Sequence, residues 1–384
     1  MNCRQNERKR YGLSNAEIKK VNRNNILRHL LKSDIVSKNG IAYSLELTAP
    51  TVTSALKDLQ DLGLIKEEGA MDSNGGRKSM GYSCNRDAKF AVGINISKDY
   101  VDLAIVNLVL EAVYTRHEKI QIRGNETSYR WLKEYINDAI EKSRISRKKI
   151  LGIGYALPAI IDESGTRIYG LHEEMDLPRN FYEIVREWFP YPAVLLREAV
   201  CAGSAVANDL DIDGEAVYLN LSPSVGGTVI KKGEAVNLGI NCRKGEFGHL
   251  TLVPDGKPCF CGRRGCLNAY CSTDNLTVLT GGDLSLFFER LKEGKPEYIA
   301  VWDEYLKYLA LSIHNLMTCF DEKLILGGDL ARYLRPYTEE IQRRVAAYDS
   351  YLKDISYLDV GALAFDASSI GAAAYFIEKF IAAV

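Results

Sequence analysis

Between Lys19 and Lys32, Val21, Ile26, Leu27, Leu30 and Leu31 recur at helical spacing with polar residues opposite, which predicts an amphipathic helix. A short apolar stripe from Ile41 to Leu47 follows. A third helix is predicted from Thr48, whose hydroxyl suits an N-cap, with Pro50 in the first turn and Val52, Ala55, Leu56, Leu59 and Leu62 turned inward until Gly63. Leu64-Ile65 opens a strand, Asn74-Gly75-Gly76 makes a tight turn, and Arg77 to Cys84 returns as the second strand. Three helices and a two-stranded wing predict a winged helix-turn-helix over residues 1–85.

From residue 88 strands alternate with helices. Phe90–Ile96, Val101–Val106 and Leu110–Ile120 read as a three-stranded meander, followed by a helix over Ser128–Arg144. The order returns in Ala216–Leu221, Gly227–Lys231 and Glu234–Leu238. Further strands are expected at Ile150–Tyr155, Ala193–Leu196 and Lys323–Leu326. The pattern alone predicts an α/β body over residues 86–384 with a duplicated unit.

The 384 residues exceed what one hydrophobic core usually spans, which agrees with two or more domains. A net charge of −1 conceals an asymmetry: residues 1–84 hold 14 basic against 9 acidic side chains, and the remainder 35 against 41. A basic head on an acidic body suits binding to nucleic acid. No apolar run of membrane-spanning length occurs, the polar start resembles no secretion signal, and nine cysteines are too sparse for a disulfide framework. A cytoplasmic protein with reduced thiols is therefore expected.

On the third predicted helix Pro50, Thr51, Thr53, Ser54 and Lys57 point outward. Small and hydroxylic residues allow close approach to base edges, and Lys57 can neutralise a phosphate, with Arg77 and Lys78 at the wing tip reaching backbone or minor groove. These seven are the candidate contacts to double-stranded DNA.

The second constellation is Gly245-Glu-Phe-Gly-His249 followed by Cys259-Phe-Cys261-Gly-Arg-Arg-Gly265-Cys266-Leu-Asn268. Three thiolates and an imidazole within 18 residues suit a closed tetrahedral zinc site made by His249, Cys259, Cys261 and Cys266, a structural cofactor. Cys242 and Cys271 fall outside this spacing, though either could replace a chosen ligand.

These residues resemble ROK, the bacterial family of repressors and sugar kinases, whose hallmark is G-E-x-G-H followed by C-x-C-G-x-x-G-C-L-E. Gly152-Ile-Gly-Tyr-Ala-Leu-Pro158, Leu326-Gly-Gly328 and Gly371-Ala-Ala-Ala374 fit the same pattern, and the wing resembles that of the family's repressors. The resemblance covers almost all of residues 20–384. It implies an actin-like (ribonuclease H-like) body of two lobes closing on a sugar, and a homodimer placing two heads on a palindromic operator.

Departures from the family's kinases also matter. Where those carry E-N-D-A-N-A-A-A, with the Asp as general base, this chain has Arg197-Glu-Ala-Val-Cys-Ala-Gly-Ser204, so Ala199 stands in place of the base. Gly93-Ile-Asn-Ile-Ser-Lys-Asp99 and Ser222-Pro-Ser224 lack the phosphate-loop pattern. The family's sugar contacts imply Glu246 and His249, together with Glu198 and Asn268 at altered positions, as contacts to a sugar-like effector. The expected protein is a transcriptional repressor of carbohydrate-related genes, not an enzyme. An ATP-dependent sugar kinase with a DNA-binding head, and a DNA-binding protein without an effector, are the alternatives.

Overall fold

The computed structural model describes residues 14–71, 79–171, 175–212, 214–231, 234–236, 243–348, 355–361 and 366–384. The chain divides into two compact units, one formed by residues 1–90, 107–111 and 377–384 and the other by 91–106 and 112–376.

In the first unit, α1 (Asn15–Leu31) opens with a capping box, in which the Ser14 hydroxyl accepts from the Glu17 N–H and the Glu17 carboxylate from the Ser14 N–H. After β1 (Val36–Ser37), α2 (Lys38–Ser44) and α3 (Ala49–Asp61) are capped by the hydroxyls of Ser37 and Thr48. Gly63, at φ +70, ends the last turn in the left-handed conformation that a side chain disfavours. The strands β2 (Ile65–Met71) and β3 (Ser79–Cys84) pair antiparallel, with β1 on the free edge of β3. Ile26, Leu27, Leu30, Ile41, Val52 and Leu59 form the centre of this core.

Three expectations change here: Leu62, expected to turn inward on the third helix, is 56% exposed, because α3 ends at Asp61 and Leu62 is its C-cap. Val21 is 46% exposed, because at about 100° per residue it lies opposite Leu30. The edge strand β1 was not expected; two residues are too few to show alternation. The tight turn at Asn74-Gly75-Gly76 lies outside the described residues.

The second unit holds two five-stranded sheets. The first is built from β4 (Phe90–Ile96), β5 (Val101–Asn107), β6 (Ala112–Glu118), β7 (Ile150–Leu157) and, after the small hairpin β8 (Ala159–Ile161) and β9 (Ile168–Leu171), β10 (Ala193–Arg197). Helices α4 (Glu126–Lys142) and α5 (Phe181–Val185) lie within this stretch, and α6 (Glu198–Asp209) leaves β10 directly. The second sheet comprises β11 (Glu215–Asn220), β12 (Gly226–Lys231) and β13 (Glu234–Val236). Helices α7 (Asn268–Cys271), α8 (Asp274–Thr277), α9 (Leu284–Lys292) and α10 (Pro296–Phe320) follow. Then come β14 (Lys323–Gly327), α11 (Ala331–Leu334), α12 (Thr338–Ala346), β15 (Leu358–Val360) and the final helix α13 (Ala367–Ala383).

The strand orders are β6-β5-β4-β7-β10 and β13-β12-β11-β14-β15. Each sheet thus runs third, second, first, fourth, fifth in chain order. The fourth and fifth strands pair parallel in both, β7 with β10 and β14 with β15. Helix α13 packs closely on the first sheet, since a Cβ on Gly93 would sit 1.8 Å from the Ser369 carbonyl and one on Gly154 2.2 Å from that of Ala372. Behind the second sheet, Val217, Leu219, Leu309, Ile313 and Leu326 form part of one apolar cluster with Phe288 and Trp302.

Candidate functional site

Helix α3 exposes Pro50, Thr53, Ser54 and Lys57 and leaves Thr51 half-buried. The Thr51 hydroxyl lies 2.8 Å from that of Thr48, and Thr53 Oγ1 donates to the Ala49 carbonyl at 2.7 Å. These bonds hold the hydroxyl-bearing side chains at the helix start. Arg77 and Lys78 lie outside the described residues.

The segment after β13 brings His249, Cys259, Cys261 and Cys266 together, with all four ligand atoms within 4.8 Å of one another. Among the described residues this is the one group of three or more such side chains able to hold a metal ion. Local chain geometry makes it. Gly265, at φ +77, would place a Cβ 1.7 Å from the Val253 carbonyl, so only glycine lets the loop fold over residues 251–253. The Cys259 N–H donates to Arg263 O at 2.8 Å, and Arg263 Nη2 donates to the His249 carbonyl at 2.8 Å. Burial pushes the Cys259 thiol up to about 12. Burial also opposes ionisation of Cys261, yet hydrogen bonds from Arg263 and the neighbouring thiols bring it below its ordinary value. Cys271 is buried beside Ser312, apart from the cluster, and Cys242 lies outside the described residues.

Beside this loop is a cavity of about 240 Å³. Glu198, Ala199 and Asn220 line it together with Glu246, His249 and Cys261, while Ile160, Leu171 and Phe260 supply apolar surface. Of the four residues expected to meet an effector, Glu198, Glu246 and His249 line the cavity. Asn268 is not among its lining; its Oδ1 accepts the Val225 N–H at 2.7 Å and holds that loop against α7. Arg197, which the sequence reading passed over, donates to the Lys244 carbonyl at 2.7 Å and forms a buried ion pair with Glu246. Glu246 in turn lies 3.9 Å from His249 Nε2, so it links the end of β10 to the loop carrying His249 and the three cysteines as well as lining the cavity.

Behind Glu198 are groups that sequence reasoning missed. His117 Nδ1 lies 2.5 Å from Asp102 Oδ1, and Asn95 Nδ2 donates to Asp102 Oδ2 at 3.3 Å. The Tyr100 hydroxyl donates to both oxygens of Asp329 at 3.1 and 3.0 Å, and the Lys98 ammonium lies 2.9 Å from Asp274. The last two contacts join the β4–β5 loop to the second-sheet side, beside the Ser222 hydroxyl that accepts the Asp329 N–H. One signal was available: Asp102 is the lone charge in the fully buried run of β5 and sits among apolar residues from Val101 to Val106.

A profile of the ROK family matches residues 91–379. The xylose repressor of Bacillus spizizenii is 25% identical over 80% of this chain and 82% of its own length. The transcriptional dual regulator NagC of Escherichia coli is 22% identical over 65% of this chain and 62% of its own. Among solved structures, a ROK family transcriptional regulator described as a homologue of the Escherichia coli MLC protein superposes with a TM-score of 0.72 at 18% identity, covering 95% of this chain and 97% of its own. A ROK family glucokinase from Streptomyces griseus, in complex with glucose and AMPPNP, gives 0.62 at 17% identity over 74% and 98%. At these identities the superpositions show the fold alone. Among the described residues no helix is long and apolar enough to cross a membrane.

Proposed function

The chain belongs to the ROK family, and on that premise we propose that it is a transcriptional repressor of carbohydrate-related genes. In this reading residues 1–85 are a winged helix-turn-helix head that binds double-stranded DNA through the exposed side of α3 and through Arg77 and Lys78. Residues 86–384 are a duplicated actin-like body whose cavity takes a neutral, sugar-like effector. The repeated strand order of the two sheets supports the duplication. Two bodies pair as a homodimer on a palindromic operator. An effector that prefers one state of the body shifts DNA affinity by its differential binding to the two states.

The observation that carries the reading is the cavity wall: Glu198, Glu246 and His249 are present, and Ala199 stands where a sugar kinase needs its proton acceptor. Xylose and N-acetylglucosamine repressors among the relatives support the same class. The His249, Cys259, Cys261 and Cys266 cluster fits structural zinc. Zinc–thiolate bonds of about 2.3 Å give a tetrahedral edge of about 3.8 Å, and Cys261 Sγ lies 3.7 Å from Cys266 Sγ and Cys259 Sγ 3.8 Å from His249 Nδ1. Such an ion braces the loop forming one side of the cavity. The test is selection of genomic fragments by the full chain, followed by release with a sugar panel that includes D-xylose and N-acetylglucosamine. Enriched operator and release by one sugar are expected; fragments retained in the presence of every sugar would show that the body senses none of them.

A further inference from the structure

Glu198 lines the cavity and is itself buried, with the buried Asp102 and the half-buried Asp329 close enough for their charges to act on it, and the three carboxyl groups have unequal partners. Asp102, on β5, has both His117 Nδ1 and the Asn95 amide. Asp329, after β14, has the Tyr100 hydroxyl and feels the Arg332 charge. Glu198, the first residue of α6, is 6% exposed, and among the described residues the group that supports its anion is the Asn95 amide. The adjacent guanidinium of Arg197 is engaged by the Lys244 carbonyl and Glu246. Tyr100, Cys201 and Tyr218 also face Glu198, and burial keeps each of them neutral. Among the described residues no lysine or arginine forms an ion pair with Glu198.

Like charges in a low-dielectric interior cannot all persist, and the proton goes to the group whose anion is least supported. We infer that Glu198 meets the cavity's ligand as an undissociated acid that donates a hydrogen bond, so the ligand must turn an acceptor oxygen, such as a ring ether or an acetamido carbonyl, toward the start of α6. The inference rests on reading the cavity as an effector site. It gives the expected contact between Glu198 and the effector a direction, with Glu198 as the donor. The order of partner poverty is also the order of the pKa values, Asp102 pushed up by burial to about 6, Asp329 to about 7 and Glu198 to about 8. An amide keeps the donor, so Glu198→Gln should preserve ligand binding and Glu198→Leu should abolish it.

The first measurement needs no ligand. Infrared difference spectra of the full chain at pH 7, wild type minus Glu198→Gln, should show the carbonyl stretch of an undissociated acid. A carboxylate band in its place overturns the inference. A pH titration of wild type labelled with ¹³C at glutamate carboxyls reads the same group without a variant. The second measurement is calorimetry with D-xylose and N-acetylglucosamine. Wild-type affinity should fall about tenfold between pH 6.5 and pH 9 as the proton is lost, and that of Glu198→Gln should stay level. Affinity that is flat or rises with pH in wild type overturns the donor role. If neither sugar binds at any pH, the sensing function fails, while the infrared result still decides the state of Glu198.

Discussion

Among single residues, Cys261 carries the sharpest consequence. Its thiol is one of four converging side chains, so if they hold the proposed structural zinc, Cys261→Ser should lower zinc content and reduce stability by several kcal/mol, on the scale that such an ion contributes elsewhere; metal content by elemental analysis and the urea midpoint check it. Asp329 predicts a pH effect. Its carboxyl is pushed up by burial to about 7 from an ordinary 3.8, so between those values the folded state holds a proton that the unfolded state has released. The stability tied to that proton is present below pH 3.8 and is lost as pH rises to about 7. Asp329→Asn keeps an acceptor for Tyr100 and cannot titrate. Wild type should therefore lose at least about 1 kcal/mol more than the variant between pH 4.5 and pH 7.5, since one pKa unit corresponds to about 1.4 kcal/mol; urea titrations at the two pH values measure it.

At the scale of elements, α3 and the contact between α6 and α13 lead to different experiments. The exposed ammonium of Lys57 stands on the outer side of α3. Lys57→Ala should weaken binding to all DNA sequences alike and reduce the salt slope by about one, as read from affinity at several salt concentrations. Where α6 meets α13, a Cβ on Gly371 would lie 1.8 Å from the Cys201 carbonyl. Backbone stands in the way, so no rotamer change relieves it. Gly371→Ala should cost about 1–3 kcal/mol, as overpacking does elsewhere; thermal unfolding of the variant is the check.

For the whole molecule, the end of the chain belongs to the same compact unit as its beginning. Arg23 Nε donates to the Val384 carbonyl at 2.6 Å, Arg28 pairs with Glu378 at 2.6 Å, and Ile377 and Ile381 are buried. The exposed Arg28–Glu378 pair contributes little by itself. Burying two isoleucine side chains is worth about 1.5–3 kcal/mol each. Truncation after Phe376 should therefore unfold the head at lower temperature and reduce DNA binding, whereas Arg28→Ala should leave both nearly unchanged. Differential scanning calorimetry with a DNA-binding assay separates the two outcomes.

Local pattern determined much of this protein. Helical spacing in residues 19–62, the Thr48 cap, the period of the two meanders and the compact spacing of His249, Cys259, Cys261 and Cys266 are interactions among near neighbours in sequence, and neighbours are what a sequence displays. The run Arg197–Ser204 can likewise be set against the family's kinase motif from sequence alone, because that motif is contiguous. What only tertiary structure decided depends on residues far apart in the chain meeting. Nothing near Arg197 in sequence indicates that Glu246, 49 residues on, engages its guanidinium. Nothing near Asn268 indicates that the Val225 N–H occupies its amide oxygen. Glu198 reads as one more acceptor until folding buries it beside Asp102 and Asp329. The free energy of an ionised carboxyl depends on the dielectric and the charges around it, and those are set by three separate stretches of chain brought together in the fold.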